Sequence, residues 1–354
     1  MNNWKALKYL SALSLPLTAL VAFQSYGWLV WLTLVYAFVI IPLLELLVRP
    51  SRHNMDEASE QIAREDPFYD LVIYAVLPVQ LLLLLVFCFS IGEEGLTTAE
   101  MAGRITAMGV LCGTFGINVG HELGHRNKKH EQIIAKILLL SSLYMHFFIE
   151  HNRGHHKKVS TSEDPASARK GQTVYGFWLK SVTGSYLSAW RLEQQRLARN
   201  GQHWFSLKNE MLVFQLLQVL LVTAIWLTFS MQVALAFVLA AFIGILELET
   251  VNYIEHYGLQ RAKKDSGRYE RVMPWHSWNS DHVVGRLMLF ELSRHSDHHF
   301  NASRKYQVLR HYDEAPQMPT GYPGMMVMAL VPPIWFAVMH RQLGRFEQTR
   351  PAAA

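Results

Sequence analysis

Only two cysteines, Cys88 and Cys112, occur in 354 residues, and both fall inside apolar runs. That excludes a disulfide framework and a cysteine-rich metal site. Each is expected to be a small buried hydrophobe. Charge is scarce too: 17% of residues are charged, against about 25% in an average soluble domain. No Gly-rich dinucleotide fingerprint follows a strand, and there is no phosphate loop. The chain therefore offers no flavin or nicotinamide site of its own. No cleavable signal peptide is read, because the first apolar run lacks a small-residue cleavage site and leads straight into a second. Repeats and low-complexity tracts are lacking, and nothing in the net charge of +5 points to nucleic acid.

What the chain has instead is apolar residues, 51% of the total, gathered into runs. Six stand out: Ala6–Phe23, Gly27–Val48, Leu71–Ile91, Ile105–Gly120, Met211–Phe229 and Gln232–Glu247. Each approaches the roughly 20 residues that cross a bilayer as a helix. The expected fold is an all-α integral membrane protein of six transmembrane helices with a helical cap on the cytoplasmic side. It is expected to be a single membrane-embedded catalytic domain over 1–354, with cytoplasmic regions 121–210 and 250–354. Trp28, Trp31 and Trp226 suit an interfacial aromatic belt. In this topology 32 of the 33 Lys and Arg residues lie on one side, with Arg104 alone on the other. The positive-inside rule makes the first side cytoplasmic, both termini included. The run Ile133–Ile149 is read as a re-entrant or interfacial helix. Gly324–Met339, broken by Pro332-Pro333, is read as a packed interfacial element.

Nine histidines fall in four short clusters. They are His121 and His125; His151, His155 and His156; His256; and His295, His298 and His299. Residues four apart on a helix share a face, so His121 with His125, His151 with His155, and His295 with His299 can each serve one metal. Imidazole suits zinc, copper, iron and nickel. Nine ligands exceed what one ion takes and suit two. An all-nitrogen dinuclear site points to redox metal, and iron leads. Converging ligands require all four clusters on one membrane face, which the topology provides. Glu122, Glu150, Asp164, Glu249, Glu255, Asp281 and Asp297 are candidate carboxylates behind the ligands, since metal-bound histidine usually donates its other N–H to such a group. His276 and His282 are weaker candidates for the same role. His130, His146, His203, His311 and His340 are read as ordinary histidines.

Rival readings remain. His121-Glu-Leu-Gly-His125 alone is the zinc-protease pattern, with Glu122 as general base. A protease, however, needs one further ligand, not seven. A metal transporter would place its ligands at the bilayer midplane, whereas these clusters sit at or beyond the span ends.

The clusters together resemble those of membrane desaturases and hydroxylases. Asn252-Tyr253-Ile254-Glu255-His256-Tyr257-Gly258 is similar to the signature of the integral-membrane alkane 1-monooxygenases, and the other clusters match in the same order. Arg126, Ser293 and Phe300 depart from that pattern, which touches substrate range. The resemblance implies a di-iron monooxygenase of the bacterial inner membrane. It would hydroxylate the terminal carbon of medium-chain linear alkanes to 1-alcohols with dioxygen. The nine histidines would hold two irons, and no catalytic residue beyond that site is implied. Electrons would come from rubredoxin, a separate protein or a removed domain, itself reduced by an NADH-dependent reductase. The cations Lys128, Lys129, Arg153, Lys157, Lys158, Arg304, Lys305 and Arg310 flank the clusters and are candidates for docking that donor. A membrane fatty-acyl desaturase or hydroxylase is the runner-up within the same metal class.

Overall fold

Among the described residues, five helices are long and apolar enough to cross a membrane: Lys5–Gln24, Gly27–Leu47, Pro67–Ile91, Glu210–Thr228 and Met231–His256. The computed structural model describes residues 4–349, and no strand forms among them; two isolated bridges, Lys263 with Tyr269 and Asn279 with Gln317, are all the β-structure they contain. The chain is thus a helical integral membrane protein. The expected run 105–120 lies inside a longer unbroken helix, Thr98–Gly124, diluted by glycine, threonine and Asn118 and not among the five. The expected run 232–247 lies inside the helix Met231–His256. The helix continues to His256, because its acidic residues find polar partners and do not terminate it. Glu247 accepts from the Thr114 hydroxyl at 3.1 Å, and Glu249 accepts from Ser181.

The chain divides into two compact units. The first comprises residues up to 37, 67–154 and 186–248. Glycine sets its packing. Gly109 and Gly113 on the Thr98–Gly124 helix leave room for Ile243 and Glu247 of the last span, and Gly244 in return seats Cys112. Small residues four apart allow this close approach of helices in lipid. Between Cys112 and Ile117 the helix opens into a π-turn. Gly116 within it and Gly120 beyond it face a different neighbour, Ser142 and Leu139. Arg104, the lone cation expected outside, is a buried staple. It donates to the carbonyls of Ser25 and Ser90 and pairs with Glu93 at 2.8 Å, holding two span-ending turns together.

Residues 133–149 do not form one helix. Lys129–Leu140 ends in a turn where Leu143 takes φ 51° and the Tyr144 N–H reaches back to the Leu139 carbonyl at 2.9 Å. This is a left-handed cap made by a residue other than glycine. Gln80 donates to Ser141 at 3.3 Å, and Gln218 accepts from the Met145 N–H at 3.1 Å. Both glutamines lie near the middle of their spans, so the break sits at the mid-depth of those helices. Buried backbone polar groups must find partners there: Gln218 takes the Met145 N–H, and the Ser141 hydroxyl that Gln80 reaches donates to the Leu138 carbonyl at 2.7 Å.

The second unit comprises 38–66, 155–185 and 249 onward. Its core gathers Tyr253, Tyr257, Trp278, Tyr322, Trp335 and Met339. Gly258, which follows the helix that ends at His256, takes φ +74° with Leu343 against it, so a side chain there would be strained and crowded. Pro332 starts a new helix, Pro332–Thr349, and does not kink an old one.

Candidate metal centre

In the first unit, His121 and His125 stand one turn apart at the end of the Thr98–Gly124 helix, as their spacing predicts. Their ring centroids are 4.9 Å apart. His151 joins them at 4.4 Å from His121 and 5.1 Å from His125, with Phe147 stacked on its other side at 4.6 Å. Glu122 turns to Arg126, whose guanidinium reaches it at 2.8 Å, Asp70 at 2.6 Å and Glu131 at 3.2 Å. Glu150 is buried, with Gly154 packed over its carboxylate.

In the second unit, one ring nitrogen from each of His155, His256, His295 and His299 lies within 4.8 Å of the other three. His155 Nε2 faces His299 Nε2 at 3.2 Å, and His256 Nε2 faces His295 Nε2 at 3.3 Å. His156 and His298 face each other in the same way at 3.2 Å, and His156 lies 4.4 Å from His299 between centroids. One spacing inference is corrected here. His151 and His155 do not serve one group: the first sits with His121 and His125, the second with the quartet. The segment His151–His155 is a π-turn, with His151 turned to His121 and His125 and His155 to His256 and His299. His295 and His299, on a regular helix, do stay together, 4.4 Å apart.

The quartet fits a metal. Nitrogens bound at about 2.1 Å to one ion stand about 3.0–3.4 Å from each other at usual ligand angles, and the facing pairs match. Asp164 accepts from His155 Nδ1 at 2.9 Å. That hydrogen bond fixes the tautomer and leaves the Nε2 lone pair aimed into the group. Burial pushes the Asp164 carboxyl up. His155 beside it and the Ser167 hydroxyl outweigh this and hold it below the usual carboxylate range. Burial, reinforced by His156, His295, His155 and His256, holds His299 well below the ordinary imidazole range. It is therefore neutral, the form that ligation requires.

The remaining candidates divide. Glu255, adjacent to His256 in sequence, contacts His295 at 3.1 Å. Burial and the neighbouring Glu255 carboxyl raise the Tyr322 phenol well above its usual range. Glu249 is held by Ser181 and by Asn252 at 3.2 Å. Asp281 pairs with His311 at 2.7 Å, and Asp297 with Arg304 at 2.9 Å. His276 pairs with Glu270, His282 with Ser280, and His340 with Tyr257. Of the basic residues, Lys128, Lys129 and Lys157 are exposed. Arg153 is engaged by Glu193 and Glu210, Arg304 by Asp297, and Arg310 by Glu60. Three of the eight docking candidates are therefore ion-paired within the fold. Ser167, Lys180 and Tyr322 were missed by sequence reasoning. Lys180 donates to the Ser167 carbonyl at 2.8 Å, behind Asp164. No motif marks any of them.

Residues 102–329 match the fatty acid desaturase family. Over 316 residues, covering 87% of this chain and 82% of its relative, the sequence is 42% identical to alkane 1-monooxygenase 2 of Pseudomonas aeruginosa. It is 38% identical to alkane 1-monooxygenase 1 of Alcanivorax borkumensis, covering 91% of this chain and 80% of that one. It is 31% identical to the xylene/toluene monooxygenase hydroxylase component of Pseudomonas putida, covering 77% and 73%. The chain belongs to the fatty acid desaturase family and, within it, to the alkane 1-monooxygenases.

Proposed function

We propose that this protein is a di-iron monooxygenase that converts medium-chain linear alkanes to 1-alcohols with dioxygen and electrons from reduced rubredoxin. The observation that carries the reading is the buried quartet His155, His256, His295 and His299, with its carboxylate-set tautomer, in a chain of this family. The nine clustered histidines hold two irons, and this quartet holds one of them. When bound, the irons supply the activation of dioxygen that an unactivated C–H bond demands.

The chain's own residues do the rest. Asp164 orients His155 from behind through Nδ1, while Glu255 meets His295 at Nε2, the nitrogen that also faces His256. Arg126 keeps Glu122 engaged away from a general-base role, which counts against the zinc-protease reading. Burial of the quartet excludes water. An apolar chain confined among the spans is presented by its terminal methyl, and internal carbons are disfavoured. We further propose six spans, Thr98–Gly124 being the sixth, in one catalytic domain in the bacterial inner membrane. The cap and both termini face the cytoplasm, where Lys128, Lys129, Lys157, Lys158 and Lys305 receive the donor.

Metal analysis with product analysis on octane tests the reading. About two irons and 1-octanol are expected. One zinc with no need for oxygen would overturn it. Action on fatty-acyl substrates with alkanes untouched would favour the desaturase reading, which the family profile keeps in view.

A further inference from the structure

The connection between Arg199 and Glu210 is built inward for its polar groups and outward for its apolar ones. Gly201 at φ 61° ends the preceding helix, and the Gln202 N–H returns to the Leu197 carbonyl at 2.9 Å. Asn209 donates to the Trp204 carbonyl at 2.7 Å, while its own oxygen caps the next helix at Met211 N–H, 3.0 Å. Ser206 donates to the His203 carbonyl at 2.9 Å, Arg196 donates to the Lys208 carbonyl, and Glu193 accepts the Glu210 N–H at 2.7 Å. The backbone is thus tied down at every turn. Yet Trp204 is 57% exposed, Phe205 72% and Leu207 86%. Three adjacent large apolar side chains held out by a rigid loop require an occupant.

We propose that this loop is a lipid-contacting anchor, with Trp204, Phe205 and Leu207 seated in the head-group boundary of the membrane that the protein spans. Three observations select lipid. The next helix, Glu210–Thr228, is itself a candidate span whose Leu216, Val219, Leu220 and Leu227 are exposed, so the patch continues an existing lipid face. Indole and phenyl rings favour that boundary, half apolar and half wet. Arg199 and Lys208 are exposed on either side, placed for anionic head groups.

The anchor is wired to the histidines. Glu193 and Glu210, which brace the loop, both grip Arg153, at 3.2 Å and 2.9 Å, and Lys136 pairs with Glu210 at 2.7 Å. Arg153 is two residues from His151. The lipid contact therefore sets the depth of the His151 segment, a consequence that rests on the proposed ligand role of His151. The lipid contact itself does not.

Nitroxide labels on Phe205→Cys and Leu207→Cys, each in the full chain in lipid nanodiscs, test it. The native Cys88 and Cys112 are buried and leave the background clear. Leu220→Cys serves as a lipid reference and Lys264→Cys, in an exposed turn, as an aqueous one. Collision with oxygen relative to a water-soluble nickel chelate is expected to exceed the Lys264 reference severalfold at both sites and to approach Leu220. A ratio equal to that at Lys264 would overturn the proposal. So would labels shielded from both reagents, which would mean a protein covers the patch. Iron content of each labelled protein, unchanged from wild type, separates this result from any failure of the metal reading.

Discussion

In the first unit His121, His125 and His151 stand beside a charge network that is balanced away from them. Arg126 draws Glu122, Asp70 and Glu131 to itself. In the second unit the carboxylates go to the histidines: Asp164 to His155 and Glu255 to His295. In the first group His121 and His125 are positioned by one helix, packed through glycine, and His151 joins them from another segment. The second is assembled from three separate segments, and hydrogen bonds must supply the alignment that one helix gives freely. Two ligands on one helix can rely on backbone geometry, whereas a ligand brought in from elsewhere gains alignment from a partner behind it, as His155 does from Asp164.

The largest effect should come from the quartet. His256→Ala or His299→Ala should abolish turnover and lower iron, while His130→Ala and His340→Ala keep both. Iron analysis and product yield on octane check this. Wild-type activity in His256→Ala would make that histidine structural.

Next comes the charge network. Arg126→Leu leaves three carboxylates buried without their cation, a loss of about 3–5 kcal/mol. A thermal melt in detergent should fall steeply. An unchanged melt would mean the first group is not braced as described.

Asp164→Asn should be milder, lowering iron affinity or rate about 10- to 100-fold, with the fold intact. Equal losses in Asp164→Asn and Asp297→Asn would erase the distinction between a carboxylate on a ligand and one on an arginine. Smaller still, charge reversal at Lys128 and Lys129 should raise the apparent Michaelis constant for rubredoxin and not that for alkane. Donor-limited turnover should drop between about 10 mM and 150 mM salt, as the Debye length shrinks from roughly 30 Å to 8 Å. A salt-independent rate would count against docking there.

The smallest effect separates the units' packing. Gly344→Ala, with open space around it, should stabilise its helix by about 0.5–1 kcal/mol. Gly113→Ala drives a methyl into Glu247 and should destabilise by about 1–3 kcal/mol. Denaturation of the two variants side by side gives the comparison.

Apolar runs and histidine spacing made five of the spans and the nine clustered histidines readable, because composition and period act locally. What stayed hidden depends on partners distant in sequence. Arg104 looked like an outer-loop charge, but its role lies in carbonyls of Ser25 and Ser90. Arg304 and Arg310 looked free to meet a partner until Glu60 and Asp297 claimed them. The separation of His151 from His155 was unreadable because it depends on the distant partners each meets, His121 and His125 for one and the quartet for the other.

The π-turn at Cys112–Ile117 also makes the first group a matter of counting. An α-helix advances about 100° per residue. Six residues wound as a π-turn cover about the angle of five wound as an α-helix, so the turn absorbs one residue; forcing plain α-winding with all six present would swing His121 and His125 around the axis by about 100°. The segment works as a phase adjuster. Loss of the turn without loss of a residue would leave these two histidines addressing lipid or a neighbouring helix, whereas deleting one residue along with the turn would keep them in place.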